Sequence, residues 1–177
     1  MERGDRGERS GADASREELV TALGAEMPSY ISSLVRFQVA VAHQLGMPVT
    51  DLHALAALLE GGQMGAGRLA ELMGMTTGAV TRLVDRLERA GYVRREPDPD
   101  DRRRVVLGVV HERIAEIARY YEPMDARWRG QVDRFTDEQL RFLLEFLRGE
   151  REHTQAETAR LRRTGRAHGT RRRRPQS

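Results

Sequence analysis

The side chains best suited to chemistry in this sequence are hydroxyl and guanidinium groups concentrated between residues 76 and 104. Thr77 and Thr81, and likewise Gly78 and Arg82, are four residues apart, the spacing that places side chains on one face of a helix. Hydroxyl and guanidinium groups bind phosphate oxygens and base edges, and Gly78 would let such a face approach its target closely. This segment therefore favours recognition of a nucleic acid over bond-breaking chemistry.

The sequence has none of the common catalytic signatures. It contains no cysteine, P-loop, Gly-x-Ser-x-Gly or His-Glu-x-x-His, which excludes disulfides, thiolate metal sites and those classes of enzyme. The acidic cluster at 98–101 resembles the start of a calcium loop. A count of the loop from Asp98, however, puts Arg103 where glycine is needed and Val109 where the bidentate glutamate belongs. We expect no enzymatic activity, no cofactor and no metal site.

Composition indicates one domain with a basic end. The chain has 177 residues, of which 39% are hydrophobic, and this length suits one domain with a helical extension. All 30 basic residues are arginine, which a GC-rich bacterial genome explains more simply than a functional demand. Residues 160–177 carry eight arginines and no acid, so residues 1–159 hold 22 basic and 27 acidic groups, net −5. A surface that binds nucleic acid must therefore be local.

The chain shows no sign of a membrane segment or a secretory signal. Its N-terminus is polar, and the longest apolar stretch, Leu52–Leu59, is far too short to span a bilayer. We therefore expect a soluble, cytoplasmic protein without a membrane partner.

The elements that must position the polar segment are mostly helices. Apolar residues recur with helical spacing in six segments, and Ser15-x-x-Glu18 and Thr136-x-x-Gln139 form capping boxes at two helix starts. Pro28 and Pro123 predict kinks. The predicted helices cover 15–45, 50–61 with Thr50 as its cap, 67–73, 77–90 with Thr76 as its cap, 111–132, and 136–149 with fraying beyond, and the predicted strands cover 92–95 and 104–109.

Ala70, Gly74 and Val80 have the spacing of a helix-turn-helix. Two helices that cross at a sharp turn need a small residue at their contact, a residue free to take positive φ in the turn, and a branched core contact. A β-hairpin with an arginine-rich tip follows directly, and this combination makes a winged helix. The predicted fold class is mainly α with a small β-hairpin wing (α+β): a winged helix-turn-helix core plus a helical dimerisation module.

The run LAELMGMTTGAVTRLVDRLERAGYVRREPDPDDRRRVVL, residues 69–107, resembles the DNA-binding core of the MarR family of bacterial transcriptional regulators. The likeness rests on the Val-Thr-Arg-Leu-Val-Asp-Arg-Leu helix, the Gly-Tyr-Val-x-Arg segment after it and an Asp-x-Arg wing. The resemblance implies a homodimer that binds double-stranded DNA sequence-specifically, with each winged helix on one half of a palindromic operator. Repression is the usual mode of the family.

The resemblance implies that the first helix and the last two interlock with a second copy. Apolar stripes on these helices support a dimer, because a small winged helix alone could not cover them. We expect a disordered tail at 1–14, a MarR-like domain at 15–163 with its winged helix at about 50–110 and dimerisation helices at about 15–45 and 111–163, and a disordered arginine-rich tail at 164–177.

The N-terminal part of the fourth predicted helix, 77–90, is expected to enter the major groove, and the wing a minor groove. Family resemblance assigns the minor-groove contact to Arg103, with Asp101 holding it by a salt bridge. Arg102 and Arg104 contact phosphates or are solvated charges. The expected DNA-binding residues are Thr76, Thr77, Gly78, Thr81, Arg82, Arg86, Asp101, Arg102, Arg103 and Arg104.

Two alternatives to these contacts remain. Arg82, Arg86 and Arg89 could form an ordinary solvated face, in which Arg86 and Arg89 pair with acids such as Asp85. The arginine-rich tail at 171–174 also supports a non-specific nucleic-acid or chromosome-coating protein, because counterion release drives such binding without sequence preference.

Regulators of this kind commonly respond to small aromatic or phenolic ligands or to cysteine oxidation, and a chain without cysteine has no thiol switch. The candidate ligand-binding residues are Tyr30, Phe37, His43, His53, Tyr121 and Trp128. The alternative is that these aromatic residues belong to the core and that each histidine is a structural hydrogen-bonding group. The sequence also departs from the family at Val109-Val110, where a Leu-Thr pair usually caps the fifth helix, so that helix should begin without a side-chain cap.

Overall fold

The computed structural model describes residues 14–171, with side chains described as far as Thr164. These residues divide after Leu52 into two compact units. A mainly helical chain with a two-stranded hairpin confirms the predicted fold class at this level. In chain order the elements are α1 Arg16–Gln44, α2 Val49–Gly61, α3 Ala66–Met73, α4 Thr77–Arg89, β1 Val93–Pro97, β2 Val105–Val109, α5 His111–Ala118, α6 Glu122–Val132 and α7 Asp137–Arg171.

The first unit consists of α1 and the start of α2. The predicted capping box opens α1: the Glu18 amide donates to Ser15 Oγ at 3.3 Å, and the Ser15 amide donates to Glu18 Oε2 at 2.8 Å. Hydrogen bonding with Ser15 also lowers the pKa of the Glu18 carboxyl below its ordinary value. Although Pro28 lies inside it, α1 continues as one helix to Gln44.

The core of the second unit lies between the helix-turn-helix and the hairpin. Helix α3 packs on α4, and α4 packs on β1. The hairpin is antiparallel and pairs Val93 with Val109. Met64, which precedes α3, joins it through two backbone hydrogen bonds with Leu107, of 3.3 and 2.8 Å. The fully buried side chains of this unit include Leu55, Leu69, Val80, Leu83, Val84, Leu87, Val93 and Leu107.

The predictions for the helices at 50–61 and 111–132 are wrong in detail. Helix α2 begins at Val49, because the Pro48 carbonyl accepts from the Asp51 amide at 2.9 Å, so Thr50 lies inside the helix. The predicted helix 111–132 is two helices, α5 and α6, separated at 119–121. Pro123 explains the separation because it has no amide hydrogen to donate to the preceding turn, whereas the first turn of a new helix needs none.

Helix α7 is much longer than the sequence predicts. Its predicted capping box is present, with the Thr136 amide bonded to Gln139 Oε1 at 2.9 Å and the Gln139 amide to Thr136 Oγ1 at 3.3 Å. The helix passes through Gly149 and reaches Arg171, because strong helix formers follow the glycine and pairs such as Glu157–Arg160, at 2.7 Å, support it. The tail predicted at 164–177 therefore begins inside α7.

The remaining tail predictions lie outside the described residues: 172–177, including most of the arginine run, and almost all of 1–14. Within the described part of the chain, no helix combines the length and the apolar character that crossing a membrane requires.

Candidate nucleic-acid interface

The turn between α3 and α4 determines where α4 begins. Gly74 ends α3 with φ of 67°, a left-handed conformation that glycine adopts without strain. The Met75 amide then returns to the Ala70 carbonyl at 3.0 Å. Thr76 opens the next helix, and its Oγ1 accepts from the Ala79 amide at 3.3 Å. The structural roles predicted for Gly74 and Thr76 are confirmed.

Helix α4 has one buried face and one exposed face. Val80, Leu83, Val84 and Leu87 are each at most 2% exposed, so the apolar face lies in the core. The opposite face is open to solvent and holds all the predicted recognition-helix contacts beyond the cap: Thr77, Gly78, Thr81, Arg82 and Arg86.

The exposed face is smooth near the start of the helix. Apart from its chain neighbours and the adjoining backbone of α4, no described atom lies within 4 Å of the position that a Cβ on Gly78 would occupy. The Thr81 hydroxyl donates to the Thr77 carbonyl at 2.9 Å, so its oxygen remains able to accept a hydrogen bond. The arrangement leaves donors and acceptors facing outward from a surface without a protruding side chain at Gly78.

An ion-pair cluster joins α4 to the hairpin. The Arg95 guanidinium on β1 donates to Asp85 Oδ1 at 2.6 Å and also pairs with Glu88. The hydrogen bond with Asp85 is the main cause of a raised pKa for Arg95. The Asp85 carboxylate thus anchors the wing strand, whereas Arg89, one of the partners suggested for Asp85 from sequence, donates to the Asp85 backbone carbonyl at 3.1 Å. The sequence analysis did not predict this role for Arg95. Its sequence signal is weak: two acids one helical turn apart, Asp85 and Glu88, followed by an arginine in the next strand.

The wing holds its tip arginine in the predicted way. Asp101 Oδ1 accepts from the Arg103 backbone amide and from Arg103 Nε, both at 3.1 Å. These hydrogen bonds, the side-chain one first, lower the pKa of the Asp101 carboxyl. The Arg103 side chain is nevertheless 91% exposed, so the carboxylate orients the guanidinium without burying it.

The other wing residues complete the loop. The Arg104 amide donates to the Asp101 carbonyl at 2.8 Å, and the Asp98 amide to the Arg104 carbonyl at 3.0 Å. The side chains of Arg102 and Arg104 are exposed. Asp98 accepts from the Asp100 amide at 2.9 Å, so that carboxylate shapes a turn. In the described residues no cluster of histidine and acidic side chains could hold a metal ion.

The six candidate ligand-binding residues are divided between the two units. Tyr30, Phe37 and His43 lie on α1 in the first unit, and His53 lies on α2. Burial raises the pKa of Tyr121, which lies between α5 and α6. Trp128 on α6 is 55% exposed. Two grooves of the second unit are lined by other residues, and the ligand site stays a prediction.

Helix α5 begins at His111 without help from a side chain. Val110 occupies its cap position and makes no side-chain hydrogen bond, as the departure at Val109-Val110 predicts. The Val110 amide instead donates to the carbonyl of Tyr92, which directly precedes β1, at 2.9 Å, and this bond ties the helix start to the hairpin.

Comparisons with known proteins agree with this architecture. The sequence model of the MarR family matches residues 45–104, which run from the end of α1 into the wing. The chain is 42% identical over 113 residues to YcgE of Bacillus subtilis (strain 168), described as an uncharacterized HTH-type transcriptional regulator, and the match covers 64% of this chain and 73% of that protein.

Solved structures share the fold. A MarR family protein from Bacillus stearothermophilus superposes with a TM-score of 0.59 and 23% identity, over 80% of this chain and 99% of that one. The transcriptional regulator PA4135 gives a TM-score of 0.50 and 25% identity, over 73% and 96%. With the helix-turn-helix, the wing and the family match in agreement, the chain belongs to the MarR family of DNA-binding transcriptional regulators, a family of regulators and not of enzymes.

Proposed function

We propose that this protein is a homodimeric repressor that binds a palindromic operator and is released from it by a small molecule. The observation that carries the proposal is the outward polar face of α4 beside an exposed wing arginine. Helix and wing belong to one packed unit, and the Arg95 cluster fastens one to the other.

In this proposal the N-terminal half of α4 enters the major groove. Thr77 and Thr81 bring hydroxyls to phosphates or base edges, while Arg82 has the reach and the donors to bind guanine or phosphate. Thr76 stands at the helix N-terminus, where the helix dipole favours a phosphate. Arg86, one turn further along the exposed face, contacts the backbone.

The wing reads the adjacent minor groove through Arg103. A narrow minor groove concentrates negative potential, which attracts an arginine side chain. The ion pair with Asp101 supports this role because it limits the conformations of a side chain that is otherwise fully solvated. Arg102 and Arg104 flank it and are placed to contact phosphates.

A second copy of the chain covers the exposed apolar faces. On α1, the side chains of Leu19, Leu23, Met27, Ile31 and Val35 repeat every four residues and are 40 to 66% exposed. Phe142 on α7 is 70% exposed and Phe146 is 42% exposed. A monomer would leave these stripes in water, which supports dimerisation helices at about 15–45 and 111–163 around a winged helix at about 50–110.

A dimer of this kind represses by occupying a promoter. Two winged helices related by a two-fold axis read half-sites about one helical turn, roughly 34 Å, apart, which is why the operator is palindromic. The effector is a small aromatic or phenolic molecule bound among Tyr30, Phe37, His43, His53, Tyr121 and Trp128. It releases DNA by favouring a dimer geometry that no longer fits both half-sites.

The test is a selection of genomic fragments by the purified full-length protein, followed by affinity measurements on the enriched sequence and a scrambled duplex. We expect an enriched palindrome, and Arg82→Ala should weaken binding to it by about 1–3 kcal/mol if Arg82 makes a bidentate base contact. Equal affinity for both duplexes at two salt concentrations would instead favour a coating protein, with a salt slope of about −0.9 per phosphate contact.

A further inference from the structure

The C-terminal part of α7 reaches the turn of the helix-turn-helix through one side chain, Arg162. Its Nη1 donates to the Glu71 carbonyl at 2.6 Å, and its Nη2 donates to the Leu72 carbonyl at 3.0 Å. Both acceptors belong to the last turn of α3, where carbonyls lack helical partners and the negative end of the helix dipole lies. A cation is therefore well placed at this helix end.

Arg162 adds to the backbone cap of α3 and covers the turn. The amides of Gly74 and Met75 satisfy the carbonyls of Ala70 and Glu71, and the guanidinium brings a donor to Leu72. A Cβ on Gly74 would lie 3.0 Å from Arg162 Nη2. The guanidinium therefore lies directly over the residue whose positive φ turns the chain from α3 into α4.

The same guanidinium borders the start of α4. Arg162, Thr76 and Thr77 line one open groove of about 710 Å³, together with residues of α3 and the turn. One side chain from the long C-terminal helix thus contacts the end of α3, the turn, and the groove at the N-terminus of α4.

The rest of this stretch of α7 borders a groove that residues of α2 and α3 also line. The α7 residues that line this groove are mostly polar: Arg151, Thr154, Gln155, Thr158, Ala159, Arg162 and Arg163. Because polar residues offer little apolar surface to bury, we expect the two hydrogen bonds of Arg162 to contribute most of the contact between the helix and the turn. Removing them should release this end of α7.

We propose that Arg162 is a positioning residue for DNA recognition, which fixes the α3–α4 turn and so the direction in which α4 meets the major groove. This inference rests on the proposed function, in which α4 reads the operator. It also gives α7, which belongs to the proposed dimerisation module, a direct mechanical link to the recognition helix.

The experiment compares Arg162→Ala and Arg162→Lys with Arg163→Ala. The Arg163 variant removes one positive charge from the next residue, whose side chain is also exposed. The affinity of each full-length protein is measured by fluorescence anisotropy for the selected operator and for a scrambled duplex, at two salt concentrations. We expect Arg162→Ala to lose about tenfold in operator affinity and less than about twofold on scrambled DNA. Arg162→Lys should lose less operator affinity than Arg162→Ala, because the ammonium group keeps the positive charge although it cannot reproduce both hydrogen bonds of the guanidinium. Arg163→Ala should keep the ratio of the two affinities.

A second measurement, amide hydrogen exchange without DNA, should show faster exchange at Gly74 and Met75, whose amides donate to the Glu71 and Ala70 carbonyls, in Arg162→Ala than in Arg163→Ala. The inference is overturned if Arg162→Ala keeps the wild-type affinity ratio, or if it weakens both duplexes equally and reduces the salt slope by about 0.9, which would make Arg162 a phosphate contact. A wild-type protein without any sequence preference would overturn the proposed function, and unchanged exchange at the turn would separately overturn the link between Arg162 and the turn.

Discussion

Thr76 offers a perturbation that separates the stability of the recognition helix from its contact with DNA. Thr76→Ala removes the acceptor for the Ala79 amide, a bond of 3.3 Å at an exposed site. Replacement of a threonine cap by alanine costs 0.5–2 kcal/mol, and because this bond is long and exposed we expect about 0.5–1 kcal/mol of unfolding free energy and roughly 2 °C in Tm.

Thr76→Asp should have opposite effects on the two properties. Aspartate is as good an N-cap as serine and a better one than threonine, and its carboxylate interacts favourably with the helix dipole. The folded protein should therefore be at least as stable as wild type. The same carboxylate would face a DNA phosphate, and we expect operator affinity to fall by about 1–2 kcal/mol, roughly tenfold. Thr76→Ser keeps the hydroxyl and should change neither property.

The assay is urea denaturation at one fixed protein concentration, since the stability of a dimer depends on concentration, followed by operator binding at constant salt. For the stability measurement Thr77→Ala is the matched control, because Thr77 is exposed one residue further on and does not cap the helix. The reasoning is refuted if Thr76→Ala is as stable as wild type while Thr77→Ala is not, or if Thr76→Asp binds the operator as tightly as wild type.

Four further outcomes follow from the geometry. Arg103→Ala should weaken operator binding most when the flanks are A·T-rich, and Arg102→Ala less so, in the same anisotropy assay; equal losses would contradict a minor-groove role for Arg103. Leu83→Ala, at a site 1% exposed, should lower the unfolding free energy by about 2–5 kcal/mol in urea. Because the pKa of Asp101 is lowered in the folded state, its ion pair should be complete above the ordinary aspartate pKa and lost as pH falls through the lowered value; an unshifted carboxyl titration by NMR would contradict the ion pair. Leu23→Asp, at a position 66% exposed in the single chain, should give a folded monomer by sedimentation, and a persistent dimer would exclude this face from the interface.

Local features were predictable from the sequence because a few adjacent residues determine them. The caps at Ser15, Thr76 and Thr136 each need a hydroxyl and an amide three residues away. Positive φ at Gly74 and the Asp101–Arg103 bond likewise join residues close in the chain. The family resemblance extended this local reading to the winged helix and to DNA binding.

The sequence by itself therefore determined the helix-turn-helix, the wing and the family, since their signals lie within one continuous segment of about forty residues, 69–107. Tertiary structure alone decided which distant charges meet: Arg95 on Asp85 and Glu88, and Arg162 on the carbonyls of α3, 91 positions away from Glu71. It also decided that α7 continues through Gly149, where helix-forming neighbours outweigh one glycine. Many arginines and acids in this chain could pair in principle, and only the packing of the helices and the hairpin selects the pairs that form.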